Sequence, residues 1–136
     1  RSAPSPHHPV TPSPKRVALA LSGGGVRAVA HLGVIDVLRR EGFTVDVISG
    51  SSGGALAAVL LCDGYAPREV MEIFRSLRRI DLVRYFRRGG MFSLEGIEAL
   101  LKKHLSVSYL EDLRTECVIA ATDLTAGRIH YFDTAR

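Results

Sequence analysis

The stretch Ile48-Ser49-Gly50-Ser51-Ser52-Gly53-Gly54-Ala55 constrains this chain more than any other. An apolar run turns through small residues and enters a second apolar run. Val45, Val47 and Ile48 are β-branched around Asp46 and read as a short buried strand. Ala55 to Cys62 is apolar throughout, the composition of a helix packed on every side. Between them, Gly50-Ser51-Ser52-Gly53-Gly54 is a G-x-S-x-G pentapeptide centred on Ser52. In a strand–turn–helix context this pattern puts a serine on a sharp, strained bend. Gly50 and Gly54, two residues before and after it, must therefore lack bulk. The bend exposes the hydroxyl and points the helix N-terminus at any anion formed beside it. Ser52 is the candidate nucleophile. Ser51 is not, because Ser49 stands where a glycine is needed.

A second glycine turn precedes the first. Val17 to Leu21 is a near-continuous apolar strand, the pattern of a parallel sheet buried on both faces. It runs into Ser22-Gly23-Gly24-Gly25-Val26-Arg27 and then Ala28 to Arg40, which has helical periodicity. His31, Val34, Ile35 and Leu38 are expected to share a face of that helix, and Gly42 to cap its C-terminus. Strand, glycine loop, helix, strand, turn and helix make a βαβα unit of an α/β fold. Three consecutive glycines let backbone N–H groups approach an anion closely. Nucleotide-phosphate spacings fail: Ala28 occupies the final glycine position of G-x-G-x-x-G, and G-x-x-x-x-G-K-[ST] does not occur. Two glycine turns after neighbouring parallel strands would instead lie together at the strands' C-terminal edge. There the N–H groups of Gly24, Gly25 and Gly53 would face the oxyanion of an acyl-transfer intermediate formed at Ser52.

Ser22 to Arg27, then His31-Leu32-Gly33-Val34, then Gly50 to Gly54, resemble the patatin-like phospholipase family. Ala121-Thr122-Asp123-Leu124 followed by Gly127 resembles a later sheet segment of the same family. The resemblance spans Val17 to the C-terminus. It implies a three-layer α/β/α fold with a mostly parallel central sheet, and a serine–aspartate dyad that hydrolyses phospholipid or other fatty-acyl esters without metal or cofactor. Gly23, Gly24, Gly25 and Arg27 fall on the family's oxyanion-hole motif and Ser52 on its nucleophile. The family's aspartate lies in a downstream D-G-G or D-G-A motif, which does not occur here. Asp63-Gly64 reads as a helix end roughly 15 Å from the Ser52 hydroxyl, Asp123 as structural, and Asp133 lacks a following glycine. The expectation is an N-terminal portion of the domain over residues 17–136, with the sheet incomplete and the aspartate beyond residue 136. A rival reading from another class is a non-catalytic lipid- or anion-binding module that keeps the elbow without the dyad. His31 is the rival base, but a histidine on an apolar helix face is read as a satisfied core residue. His104 and His130 are expected at a helix end and on a strand surface.

The rest of the chain narrows the class. Residues 1–16 hold five of the six prolines and read as a disordered linker. Beyond them, 15 basic residues face 14 acidic ones, so the overall charge of +4 does not describe the folded part or suggest nucleic acid. Cys62 and Cys117 sit in apolar surroundings and read as buried free thiols rather than a disulfide or metal framework. No apolar run approaches the ~20 residues of a membrane span. Pro67 suits a first helical turn, with Val70, Ile73, Phe74 and Leu77 as its apolar stripe. From Arg75 to Arg88, six arginines are interleaved with apolar residues, a pattern that suits either peripheral contact with anionic lipid or a solvated helix face. Ser93 reads as the cap of a helix from Leu94 to Leu105, and Met91 and Phe92 as flanking an acyl channel or packing under a loop. Cys117 to Ala121 reads as a buried strand, and Arg128 to Asp133 as an edge strand after a hairpin at Thr125 to Gly127. Oligomeric state and cellular location (cytoplasmic, membrane-associated or exported) stay open.

Overall fold

A computed structural model describes residues 15–76 and 94–134. The linker up to Pro14, most of the cationic segment from Leu77 onward, Met91, Phe92 and the Ser93 cap lie outside the described residues.

The strands are β1 (Lys15–Leu21), β2 (Phe43–Ser51), β3 (Glu116–Asp123) and β4 (Arg128–Asp133). They form one sheet in that order, with β1, β2 and β3 parallel and β4 antiparallel at the edge. The helices are α1 (Val29–Arg40), α2 (Gly53–Cys62), α3 (Pro67–Ser76) and α4 (Leu94–His104). A mixed α/β fold with a mostly parallel sheet is thus present. β1 begins two residues before the apolar run, because Arg16 Nε reaches Asp46 Oδ2 at 2.8 Å and Lys15 Nζ lies 4.8 Å from the centre of the Phe43 ring. The register slips by one residue at Asp46, with Val17 opposite Val45 and Ala18 opposite Val47.

α2 is the centre of the core. Residues Ala57 to Cys62 are all buried, so this helix is packed all round as its composition predicts. Leu32 and Ile35 of α1, Ile48, Val70, Ile73, Leu100 and Cys117 close around it. Fully burying a leucine or isoleucine side chain contributes about 1.5–3 kcal/mol, so the α2 contacts dominate the adhesion of helices to sheet.

One expectation about a face needs correction. The α1 face that packs is centred on Leu32 and Ile35, whereas Val34 is 61% exposed and His31 only half-buried. In β1, Leu19 and Leu21 face the helices, while Ala18 and Ala20 are exposed among the described residues. Strand alternation puts Ser51 and Tyr131 on that same uncovered side. Of the apolar residues of β3, Cys117 alone is fully buried and Ala121 is exposed.

The helix ends follow local chemistry. Gly42 takes φ 79° after α1, and its N–H donates to Arg39 O. After α2, Gly64 (φ 110°) donates to Leu61 O and Tyr65 to Leu60 O, the paired bonds of a Schellman cap. Asp63 is buried there, and its carboxylate accepts from the Ser106 N–H at 2.8 Å and the Ser106 hydroxyl at 2.5 Å. At the start of α3, Glu69 Oε2 accepts from the Ala66 N–H at 2.7 Å ahead of Pro67. The β3–β4 connection is held by Asp123 Oδ1, which accepts from the N–H groups of Thr125 and Ala126 at 2.9 Å each, with Gly127 at φ 61°.

Candidate active site

The site grows from the ends of β1 and β2, paired so that Leu21 stands opposite Gly50. β2 stops at Ser51, α2 starts at Gly53, and the chain reverses at Ser52. Ser52 has φ 53° and ψ −125°, and is the sole non-glycine with positive φ among the described residues. This conformation lies outside the small left-handed region that L residues tolerate. Its carbonyl accepts from Ala55 N–H at 2.9 Å and Leu56 N–H at 3.3 Å, opening α2. Its hydroxyl makes no capping bond and the residue is exposed. A serine at a helix start that declines to cap leaves its oxygen for another use.

The flanking glycines are required by close backbone approach. A Cβ on Gly50 would lie 2.5 Å from Gly54 O and 2.7 Å from Ala55 Cα. On Gly54 it would lie 2.3 Å from Leu21 O and 2.6 Å from Ser22 O. On Gly53 it would meet Gly25 O at 2.8 Å and Ala28 Cβ at 3.0 Å. The start of α2 is therefore seated directly on the end of β1 and on the glycine loop, in a space that a methyl group would fill.

The loop runs through Ser22 to Gly24 and tightens into a 3₁₀ turn over Gly25–Ala28. Gly24 (φ 153°) and Gly25 (φ 56°) adopt backbone that favours glycine. The Arg27 N–H donates to Gly24 O at 3.1 Å, and the Arg27 side chain is exposed. The Gly23 position faces the nucleophile candidate: a Cβ built on it falls 3.2 Å from Ser52 Cβ and 3.8 Å from Ser52 Oγ. So Gly23, Gly50, Gly53 and Gly54 meet around the elbow. Gly25 presents its carbonyl to Gly53, where a Cβ would come within 2.8 Å.

The other candidates separate cleanly. Asp63 caps the far end of α2, Asp123 is engaged in the hairpin, and His130 Nε2 lies 3.5 Å from Asp123 Oδ2. Asp133 pairs with Val118 in β4. His104 packs edge-on to Tyr65 at 6.5 Å between ring centres. Asp36 faces Arg40 and Arg68, and Asp46 faces Arg16. His31 Nε2 is 3.1 Å from Ser22 O, a contact that spacing alone did not reveal. Cys62 and Cys117 are buried free thiols; Cys62 Sγ lies 3.6 Å from Glu116 O. The Cys62 thiol is pushed well above its ordinary range by the hydrogen bond with Cys117 and by burial. Among the described residues, no three His, Cys, Asp or Glu side chains gather as metal ligands would, and no helix is long and apolar enough to cross a membrane. A cleft of about 260 Å³ lies on the uncovered sheet face beside Ser22 and Ser51, lined by Ala20, Ser49, Val118 and Tyr131 among others.

The sequence pattern of the family described as patatin-like phospholipase matches residues 19–135. The chain belongs to the patatin-like phospholipase family. Within that family, it is 33% identical over 124 residues to an uncharacterised NTE family protein of Mycobacterium bovis, covering 88% of this chain and 34% of that protein. It is 30% identical over 125 residues to a patatin-like phospholipase domain-containing protein of Caenorhabditis elegans, covering 84% and 9%. It is 29% identical over 125 residues to the neuropathy target esterase sws of Drosophila persimilis, again covering 84% and 9%. The chain thus spans about a third or less of the length of these relatives. The type III effector ExoU superimposes with a TM-score of 0.50 at 18% identity, covering 88% of this chain and 36% of that one, and shares the fold. Both glycine turns lie inside the matched residues, so the patatin-like assignment covers the elbow and the loop beside it.

Proposed function

We propose that this chain carries the nucleophile and oxyanion elements of a lipid acyl hydrolase, a phospholipase A or carboxyl esterase, with Ser52 as the attacking group. In this reading Ser52 Oγ attacks the ester carbonyl, the alcohol leaves, and water later releases the fatty acid from the acyl-serine. Amides of the glycine loop, Gly23, Gly24 and Gly25, with Gly53 at the start of α2, hold the negative oxygen of each tetrahedral intermediate. Arg27 adds positive charge close to the loop. The observation that carries the reading is the strained, exposed Ser52 with the Gly23 position of the glycine loop facing it. Membership of a lipid-hydrolase family and a relative named as an esterase agree with it.

A proton acceptor is still required. Asp36, Asp46, Asp63 and Asp123 are each engaged elsewhere. We assign the role to an aspartate beyond residue 136, in the length that the relatives have and this chain does not span. Turnover of a chromogenic fatty-acid ester by the intact protein tests the reading. Ser52→Ala should lower it by at least about 10³-fold, the scale on which loss of a serine nucleophile acts. Unchanged turnover in that variant would eliminate the nucleophile. Lipid binding with no turnover in the parent protein would favour the non-catalytic binding module.

A further inference from the structure

Ser22 ends the run from β1 into the glycine loop, and its carbonyl is held from two sides. His31, in the first turn of α1, places Nε2 3.1 Å from Ser22 O and 3.5 Å from Ser22 Oγ. Gly54 lies against the same carbonyl, where a methyl group would come within 2.6 Å. A carbonyl oxygen only accepts, so Nε2 must carry the proton it shares with Ser22 O. That bond has a consequence one residue further on. The peptide between Ser22 and Gly23 is trans and planar, so fixing its oxygen fixes the direction of the Gly23 N–H on the opposite edge. A Cβ built on Gly23 would meet the Ser52 side chain, so this position of the loop faces the elbow. The two glycines after it have little conformational preference of their own, and the loop needs an external restraint to hold its amides in one orientation.

We infer that His31 is a positioning residue of the acyl-transfer site: its Nε2–H clamps the Ser22 carbonyl and thereby sets the amide donors of the glycine loop beside Ser52. The inference rests on the reading of Ser52 as nucleophile. In the clamping role Nε2 is a donor and offers no lone pair to the serine proton, the ring's lone pair being on Nδ1. The function of His31 is to keep the loop ready before substrate arrives, which costs nothing at the moment of reaction.

The test compares His31→Leu with His31→Gln in the intact protein. Glutamine places an N–H donor at a reach close to that of Nε2, whereas leucine keeps bulk and removes the donor. Misaligning the loop should lower kcat for a chromogenic ester by roughly 10- to 100-fold in His31→Leu, below the 10²- to 10³-fold cost of deleting an oxyanion donor. KM should stay within about twofold, because the clamp does not touch the acyl chain. His31→Gln should recover kcat to within about fivefold, and fluorophosphonate labelling of Ser52 should slow and recover in parallel. Equal loss in both variants, or no loss in His31→Leu, would overturn the inference. If His31→Leu does not fold, His31→Gln alone decides: near-parent kcat supports the clamp, and loss comparable to Ser52→Ala refutes it. Full turnover by Ser52→Ala in the same assay would instead remove the nucleophile reading, a result distinct from either.

Discussion

Replacing Ser52 with glycine should make the protein more stable while abolishing its chemistry. Ser52 is held at φ 53° and ψ −125°. A non-glycine residue in such a region costs of order 1–3 kcal/mol. Glycine adopts the same backbone without that cost, but frees the unfolded chain and so returns about 0.4–1 kcal/mol of the gain. The hydroxyl makes no capping bond, so its removal costs little on that account. The net expectation is a gain of about 1 kcal/mol for Ser52→Gly and about zero for Ser52→Ala, which keeps the Cβ and the strain. With a urea m-value of ~2 kcal/mol/M, this displaces the midpoint upward by about 0.5 M at constant slope. Equilibrium urea unfolding of the three proteins, followed by far-UV circular dichroism, measures it. A glycine variant no more stable than the alanine variant would refute the claim that the elbow stores strain at this residue.

Two further outcomes follow from the same geometry. Gly54→Ala puts a Cβ 2.3 Å from Leu21 O, which needs about 1.1 Å of relief to reach ordinary contact at 3.4 Å; it should destabilise by roughly 1–3 kcal/mol and lower kcat by ~10²-fold, whereas Gly33→Ala, with nothing within 4 Å in α1, should stabilise by up to about 1 kcal/mol. Thermal unfolding of both, with ester turnover of the first, checks the pair. The Cys62 thiol is held protonated in the folded protein, above its unfolded value of about 9. Buried as it is, native Cys62 should resist iodoacetamide at pH 8 and react once the protein is unfolded.

The elbow was legible because its signal is local. Gly50, Ser52 and Gly54 are spaced by the turn itself, and the apolar run after them leaves α2 no solvent face. The same holds for Gly42 and for Asp63-Gly64, whose cap chemistry is written within three residues. Faces were harder to read. Periodicity placed Val34 in the α1 stripe, but Leu32 and Ile35 face the core, and Val34 points to solvent. Within this chain, Leu19 and Leu21 of β1 face the helices and Ala18 and Ala20 are exposed. Long-range contacts left no trace in spacing. Ser106 reaches Asp63 across 43 residues, and the His31–Ser22 clamp depends on how the 3₁₀ turn sets the start of α1. A Cβ on Gly23 would meet Ser52, because the paired ends of β1 and β2 bring the first glycine level with the elbow.

The account stands on one serine being reactive because of where its backbone is held. Treating the intact protein with a fluorophosphonate and locating the adduct by peptide mass spectrometry measures this directly. The expected result is a single stoichiometric adduct on Ser52, with Ser22, Ser49 and Ser51 unmodified. An unlabelled Ser52, or an adduct spread over the neighbouring serines, would contradict it.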